Sequence, residues 1–490
     1  MTSSAAAQPV AMLQRPRWRA PVVIVLVVAL ASIAVGAGLA AAGFSHRQSL
    51  AGAMVAFAMA SWATNALPEL TTGLAFFALA SLGQLASPNV IFTGFSSSAF
   101  WLVLSGMVIA QAMNKTGLGR RVASLVAAPL STSYARLIIG ILLISYGLAF
   151  VMPSNIGRIS LLLPIALAIA DQVGLDEGRP GRTGVVLAVG FGTFILSTTI
   201  LPANVPNLVM AGAIEALYDV RLSYIHYLVL HAPVLGLAKG GVLAGLICRQ
   251  FPDRISPKLA AIEGAVVDGP VSRAPISLTS VQPPMSAAER RLAVILIATL
   301  GLWLTEGVHG LAPAWVGLAA AVVCLLPGVA VIGPEAFNDV NHRTVLYVAA
   351  LLGVVAVISE TGLATSLSKA VLSFLPLRAG ENAWNFVLLV LLSLAISLVA
   401  SANAVGAIYT ALANDLVQAT GLPLNTVLMI QVLGFSTVLF SYQAPPIAVA
   451  IGLGKVSVLD ASRLGVRLAI LTLLLLLPLD YLWWRLLGVI

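Results

Sequence analysis

The sequence predicts an all-α polytopic membrane protein. It has two inverted-topology repeats, each with a re-entrant hairpin and a broken helix, after one extra N-terminal transmembrane helix. Three observations carry this expectation. Of 490 residues, 59% are hydrophobic and only 9% charged, whereas a soluble domain carries roughly 25% charged residues. Apolar runs of transmembrane length recur along the whole chain. Four short motifs also recur, in the same order, in the two halves.

The runs come first. Pro21–Ala42, Arg136–Met152, Thr183–Ile200, Leu292–Leu304, Thr344–Ile358 and Leu464–Leu482 are the clearest, and the pattern suggests about 11 transmembrane helices. Mean hydropathy is +1.01, so lipid rather than water must cover the surface. Pro21–Ala42 is too long for the apolar region of a signal peptide and lacks a cleavage site.

Charge sets orientation. The first twenty residues hold Arg15, Arg17 and Arg19 and no acid, which keeps the N-terminus cytoplasmic. The net charge of +8 is then a topology signal, and without a basic stripe bearing aromatics it implies no nucleic-acid partner. Cys248 and Cys324 lie in apolar segments, so neither a disulfide framework nor a metal site is expected. The five histidines show no metal-ligand spacing.

One polar stretch, Phe251–Arg291, is rich in Pro, Ser and charge and carries Arg254, Lys258, Arg273, Arg290 and Arg291. It reads as a cytoplasmic linker. The expected organisation is a cytoplasmic tail at 1–20, a first transmembrane helix at 21–47, a first repeat at 48–250, the linker at 251–291 and a second repeat at 292–490.

The repeat rests on four pairs. Trp62-Ala-Thr64-Asn65 matches Trp303-Leu-Thr305-Glu306, 241 residues on. Lys115-Thr-Gly-Leu118 matches Glu360-Thr-Gly-Leu363 at a spacing of 245. Ser154-Asn155-Ile-Gly157 matches Ala402-Asn403-Ala-Val405 at 248, and Asn204-Val-Pro206-Asn207 matches Ala444-Pro445-Pro446-Ile447 at 240. A single match is weak; four in order at near-constant spacing are hard to obtain by chance.

Counting crossings gives the symmetry. Pro21–Ala42 crosses outward, Gln48–Gly83 holds two short segments turning near Asn65–Pro68, and Phe100–Met113 returns inside with Lys115, Arg120 and Arg121. Arg136–Ala170, interrupted at Met152–Gly157, reads as a re-entrant hairpin. Thr183–Ile200 goes out and His231–Arg249 comes back. The second half then starts inside, runs inverted, and leaves the C-terminus outside.

The interruptions point to a site. Unpaired backbone groups survive in a membrane only where they line protein or a wet cavity. Helix N-termini there carry partial positive charge and free N–H groups, which suit an anion. Ser154, Gly157, Ala402, Ala404 and Gly406 are small enough to let a ligand reach backbone. The amides of Asn155 and Asn403 can donate to a carboxylate or accept a cation. The breaks at Leu201–Pro206 and Gln443–Pro446 add free backbone. Asn and Pro also stand at ordinary turns, and it is the pairing by repeat that favours a site.

Arg158 is the most informative residue. It follows the first tip inside an apolar stretch, where a charge costs at least ~2.5 kcal/mol. Three roles are open: pairing with an anionic substrate, standing in the place of a coupling cation, or snorkelling from a shallow tip. Glu69, Glu306, Asp171 and Asp415 sit at segment ends and read as structural or interfacial.

These landmarks resemble the divalent anion/sodium symporter family, within the wider ion-transporter superfamily. The resemblance runs from about Leu50 to the C-terminus. It rests on Trp62-Ala-Thr-Asn-Ala-Leu-Pro68, Lys115-Thr-Gly-Leu-Gly-Arg-Arg121, Pro153-Ser-Asn-Ile-Gly157 with Leu-Leu-Leu-Pro164, and Asn204-Val-Pro-Asn-Leu208. It implies a homodimer whose protomers each have a scaffold and a mobile domain, carrying di- or tricarboxylates or sulfate with sodium and using no other cofactor. It implies substrate contacts at Ser154, Asn155, Ile156, Asn204, Asn403, Ala404, Ala444 and Pro445, with Arg158 added from the residues themselves. It implies sodium at Ser154, Asn155, Ala203, Ser401, Asn403 and Gln443. The family's tips read Ser-Asn-Thr and its breaks Thr-Pro-Pro. Here the tips read Ser154-Asn155-Ile156 and Ala402-Asn403-Ala404, and the breaks Asn204-Val205-Pro206 and Ala444-Pro445-Pro446. Hydroxyls are lost on both sides, and Arg158 stands where the family tends to have small polar residues.

The resulting expectation is a secondary transporter of a small organic anion, moving it by an elevator-like swing in the inner or plasma membrane. Two couplings remain open: sodium symport of a di- or tricarboxylate, or sodium-independent exchange or carriage of another anion such as sulfate, a sulfonate or an oxyanion. An enzyme would need a nucleophile–base pair or paired carboxylates in the membrane, and the sequence presents none. A simple channel would not need paired interrupted hairpins.

Overall fold

A computed structural model describes residues 19–64, 66–122, 132–255 and 284–490. Residues 1–18 of the expected tail, Asn65 and most of the linker, Lys258 and Arg273 included, lie outside the described residues. Within the described residues every regular element is helical. Five helices are long and apolar enough to cross a membrane, and eight shorter apolar helices accompany them.

The first half begins with α1 (Arg19–Ala41), α2 (His46–Thr64) and α3 (Glu69–Leu82). Only 17% of Val22–Ala41 is buried, so α1 presents Val27, Leu30 and Ile33 outward as a lipid-facing helix. Between α2 and α3 the chain turns at Pro68, where the Trp62 indole N–H donates to the Glu69 carbonyl at 3.2 Å. Trp303 does the same across the matching turn, donating to the Pro313 carbonyl at 3.0 Å.

Then follow α4 (Ser98–Thr116), α5 (Tyr134–Ala149), α6 (Asn155–Gln172), α7 (Pro180–Leu196), α8 (Val205–Tyr218) and α9 (Tyr224–Gln250). Helices α5 and α6 are separated by a break at Phe150–Ser154, overlapping the interruption that the sequence predicts. The last crossing of this half starts at Tyr224, seven residues before the expected His231. His231 only marks the start of a π turn at Ala232–Ala238 inside α9.

The second half holds α10 (Ala287–Leu304), α11 (Pro313–Leu325), α12 (His342–Glu360), α13 (Leu363–Phe374), α14 (Asn382–Val399), α15 (Ala402–Thr420), α16 (Leu424–Phe435), α17 (Pro445–Gly454) and α18 (Val458–Leu486). A capping box starts α10. Ser286 Oγ accepts from the Glu289 N–H at 3.1 Å, and Glu289 Oε2 accepts from the Ser286 N–H at 2.7 Å. Glu289 also pairs with Arg121 at 2.9 Å, which ties the residues after α4 to the start of the second half. At the near end of the linker Asp253 pairs with Arg179.

The two halves interlock at their tips. Helix α15 packs on α8, and α17 packs on both α6 and α7. Each tip helix therefore meets the helix that follows the other half's break. The α8–α15 contact requires glycine at 406: a Cβ there would lie 2.6 Å from the Met210 backbone nitrogen and 3.1 Å from the Pro206 carbonyl.

Candidate functional site

The site grows from four breaks. At the first, α5 ends at Ala149 and α6 starts at Asn155. Ser154 caps α6, its hydroxyl accepting from the Gly157 N–H at 3.1 Å. At the second, α7 closes in a π turn, Gly192–Leu196, followed by a 3₁₀ turn at Leu201–Ala203 and an extended Asn204. A π turn leaves carbonyls without their usual helical partner. The second half repeats this arrangement. Its 3₁₀ turn, Ser441–Gln443, lies 240 residues after the first, and an extended Ala444 precedes α17. The remaining break separates Val399 from Ala402.

A cavity of ≈ 220 Å³ opens between these breaks. Ser154, Asn155, Ile156 and Gly157 line it from the first tip, and Ala203 and Asn204 from the first break. Asn403 and Pro445–Pro446 line it from the second half. The opposite wall comes from Met107, Gln111 and Asn114 of α4, and from Asn341, Thr344 and Tyr347 at and on α12. Glu69 is the one charged side chain among the lining residues. The volume falls below the ≈ 300–1,000 Å³ of drug-sized pockets, so it suits a small ligand. The N-termini of α6 and α15 supply partial positive charge. Pro445 and Pro446 open α17 with no N–H to give.

The asparagines are interlinked. Asn155 Nδ2 donates to Asn204 Oδ1 at 2.7 Å, and Asn204 Nδ2 donates to the Phe194 carbonyl at 3.0 Å. Asn155 Oδ1 accepts from Ser197 Oγ at 3.1 Å and also from Arg158.

Arg158 faces away from the cavity. It is fully buried, and its guanidinium donates to the carbonyls of Met152, Thr193 (3.3 Å) and Ala203 (3.2 Å) as well as to Asn155. Among the described residues no carboxylate pairs with it. Hydrogen bonds to a charged group are worth about 1.5–3 kcal/mol each, and several together offset its burial. Arg158, expected at the substrate, is not among the residues that line this cavity. Four oxygens behind the tip hold the guanidinium, and it does not reach the cavity. Snorkelling is excluded by the same burial.

Further candidates also lie off the cavity lining. Ala404 and Ala444 are packed in the core and do not line the cavity. Gln443 is buried and spent on its own turn: Oε1 accepts from the Leu439 and Phe440 N–H groups at 2.9 Å each, and Nε2 donates to Ser397 Oγ at 2.9 Å. Ser401 is as buried as Asn403 and does not line the cavity; both lie against the Tyr347 hydroxyl. The sequence reading missed Tyr347, Thr344, Gln111 and Asn114 because they belong to no repeated motif. Glu69 was legible beside Pro68 but read as structural.

Sodium fits the two tips differently. At the first tip the oxygens that would bind it, Asn155 Oδ1 and the Ala203 carbonyl, already take Arg158, so the residues there do not fit a free cation. At the second tip no Lys or Arg side chain among the described residues donates to a backbone carbonyl of Ser397–Ala404, where Tyr442 donates to Leu398. Gln443 offers that tip no free carbonyl oxygen.

Comparison with known proteins agrees with this architecture. The family described as "sodium:sulfate symporter transmembrane region" matches residues 16–490. A membrane protein of Cupriavidus necator is 26% identical over 464 residues, 89% of this chain and 87% of that one. The sodium-dependent dicarboxylate transporter SdcS of Staphylococcus saprophyticus is 25% identical over 182 residues, so the match covers 36% of this chain and about a third of SdcS, 35%. The solved YdaH transporter of Alcanivorax borkumensis aligns at a TM-score of 0.52 and 18% identity, over 81% of this chain and 87% of that one, and shares the fold. With the family match spanning nearly its whole length, this chain belongs to the divalent anion/sodium symporter family and is a multi-pass membrane transporter rather than an enzyme.

Proposed function

We propose that this chain is an elevator-type secondary transporter of a small organic anion, a di- or tricarboxylate, that works as a homodimer with its N-terminus in the cytoplasm and its C-terminus outside. The observation that carries the reading is the small cavity where four helix breaks converge. Ser154, Asn155, Ile156, Asn204, Asn403 and Pro445 bind the anion there. Two N-terminal dipoles and the amide donors hold its carboxylates. The first tip and break move together because the Asn155–Asn204 bond joins them; α17 on α6 and α7, and α15 on α8, carry the second half with them. Residues of α4 and α12 form the facing wall, past which such a body slides. The repeats at 48–250 and 292–490 run inverted, an arrangement suited to alternating access.

Sodium is the coupling ion of this reading, and it enters at the second tip, at Ser401 and Asn403. The dicarboxylate substrate named for SdcS supports the substrate class. A second reading, sodium-independent exchange, draws on Arg158 at the first tip and on the spent amide of Gln443.

Uptake of labelled succinate into proteoliposomes, with and without an inward sodium gradient, tests both. Gradient-driven accumulation supports symport. Counterflow that ignores sodium supports exchange. Absence of succinate transport and binding, from protein shown to be folded, sinks the substrate class.

A further inference from the structure

We infer that Arg158 is a tethered cation: its guanidinium permanently fills, at the first tip, a coordination place made of backbone carbonyls and an amide oxygen that a mobile cation would otherwise take. The inference rests on the transporter reading above and concerns what that transporter does not need from solution.

The oxygens are the argument. The Met152 carbonyl lies past the end of α5, the Thr193 carbonyl belongs to the π turn and the Ala203 carbonyl to the 3₁₀ turn, and Asn155 Oδ1 completes the set. Unwound carbonyls and helix C-terminal ends of this kind coordinate alkali cations in transporters with broken helices. Arginine is always charged and presents a planar fork of donors. Its charge meets dipoles alone, since no carboxylate among the described residues bonds to it. Charges inside a membrane pair with one another or with backbone carbonyls, and here three carbonyls and one amide oxygen take the charge of Arg158. Asn155 Oδ1 is shared between Arg158 and Ser197 and has no lone pair left for another cation. The tip consequently holds its positive charge in every state of the cycle, and one coupling ion drops out of each turnover.

The test uses the purified full chain without substrate, so failure of the carboxylate reading leaves it intact. Thermal unfolding is followed against sodium and against millimolar guanidinium, with choline as the balancing cation, for wild type, Arg158→Gly and Arg158→Lys. Arg158→Gly should gain a stabilisation of about 2 °C from either cation beyond that of wild type. Arg158→Lys, which keeps a tethered charge, should respond to sodium as wild type does. In proteoliposomes, Arg158→Gly should also show a steeper sodium dependence of transport. If folded Arg158→Gly answers sodium no differently from wild type, the idea is overturned. If Arg158→Gly does not fold, Arg158→Lys decides: an added sodium response in that variant overturns the inference, and an unchanged one supports it.

Discussion

The side-chain amide of Asn155 donates to the amide oxygen of Asn204 at 2.7 Å, joining the first hairpin tip to the first helix break across 49 residues of chain. Asn155 also accepts from Ser197 and Arg158. One side chain thus fixes the geometry of both the cavity wall and the buried guanidinium. Replacing it with leucine of similar size leaves Asn204 Oδ1 without its donor and takes from Arg158 its one side-chain acceptor, leaving that arm only the Thr193 and Ala203 carbonyls. An unsatisfied buried group costs about 1–3 kcal/mol, more when charged. Asn155→Leu should therefore lower Tm and reduce succinate uptake at least tenfold (about 1.4 kcal/mol). Wild-type uptake in this variant would remove the coupling between tip and break.

Gly406 is a second test of the interlocked halves. A methyl group at this position would press on the backbone of Met210 and Pro206 in α8. Backbone cannot rotate away as a side chain can, so α15 must shift. Overpacking of this kind costs typically about 1–3 kcal/mol. Gly406→Ala is expected to lower Tm and slow transport. Gly301, whose Cβ would meet nothing within 4 Å, is the control, and Gly301→Ala should leave both unchanged.

Gln443 tests what holds the second break. Its amide oxygen satisfies the Leu439 and Phe440 N–H groups and its amide nitrogen reaches Ser397. Gln443→Ala strips two part-buried donors of their acceptor. The expected result is a lower maximal rate and reduced stability, with the sodium concentration for half-maximal transport unchanged, because the side chain supports the loop without touching an ion. A rise of that concentration by tenfold or more in a folded Gln443→Ala protein would return Gln443 to the sodium site.

Much of this architecture was legible before any coordinates. Apolar runs located the helices, with starts up to seven residues off, because lipid imposes length and composition on every crossing. Pro68, Pro153, Pro206 and Pro445 marked the breaks, since proline forbids the preceding turn. Helices do start at Asn155 and Ala402, beside the paired motifs of the sequence. The direction of the Arg158 side chain was not legible. Sequence gives its cost in a membrane, but only the fold shows carbonyls from three separate turns converging on one guanidinium. Tyr347 and Thr344 were hidden for a related reason. They sit on a regular helix, α12, and face the cavity through packing that leaves no mark in local pattern.

At the membrane edge a pH dependence follows from Asp253. Burial pushes its carboxyl up, but hydrogen bonds from Arg179 and from the backbone N–H groups of Arg254 (2.8 Å) and Gly181 (3.0 Å) outweigh it, and the group lies below the usual carboxylate range. A depressed folded value means that the unfolded chain binds the proton more readily. The stabilisation is therefore complete above the unfolded value of about 3.9 and is lost as pH falls through the folded one. The Tm gap between wild type and Asp253→Asn should stay level from neutral pH down to about pH 5, then close in stronger acid. A gap that instead closes between pH 8 and 6 would assign the effect to another group.

Glu69 poses the last question, because a carboxylate lines the cavity of an anion carrier. Its charge opposes a dianion, with Arg343 the cation that acts on it. At a surface-like effective dielectric, two like charges several ångströms apart repel by a few kcal/mol at most. Removing the charge should then tighten substrate binding. Glu69→Gln is expected to lower the KM for succinate several-fold and to do less for a monocarboxylate, whose repulsion is smaller. Purified protein titrated with both anions distinguishes this from a cation-binding role. If Glu69 instead helps to hold a coupling ion, Glu69→Gln will weaken succinate binding in sodium and leave it unchanged in choline.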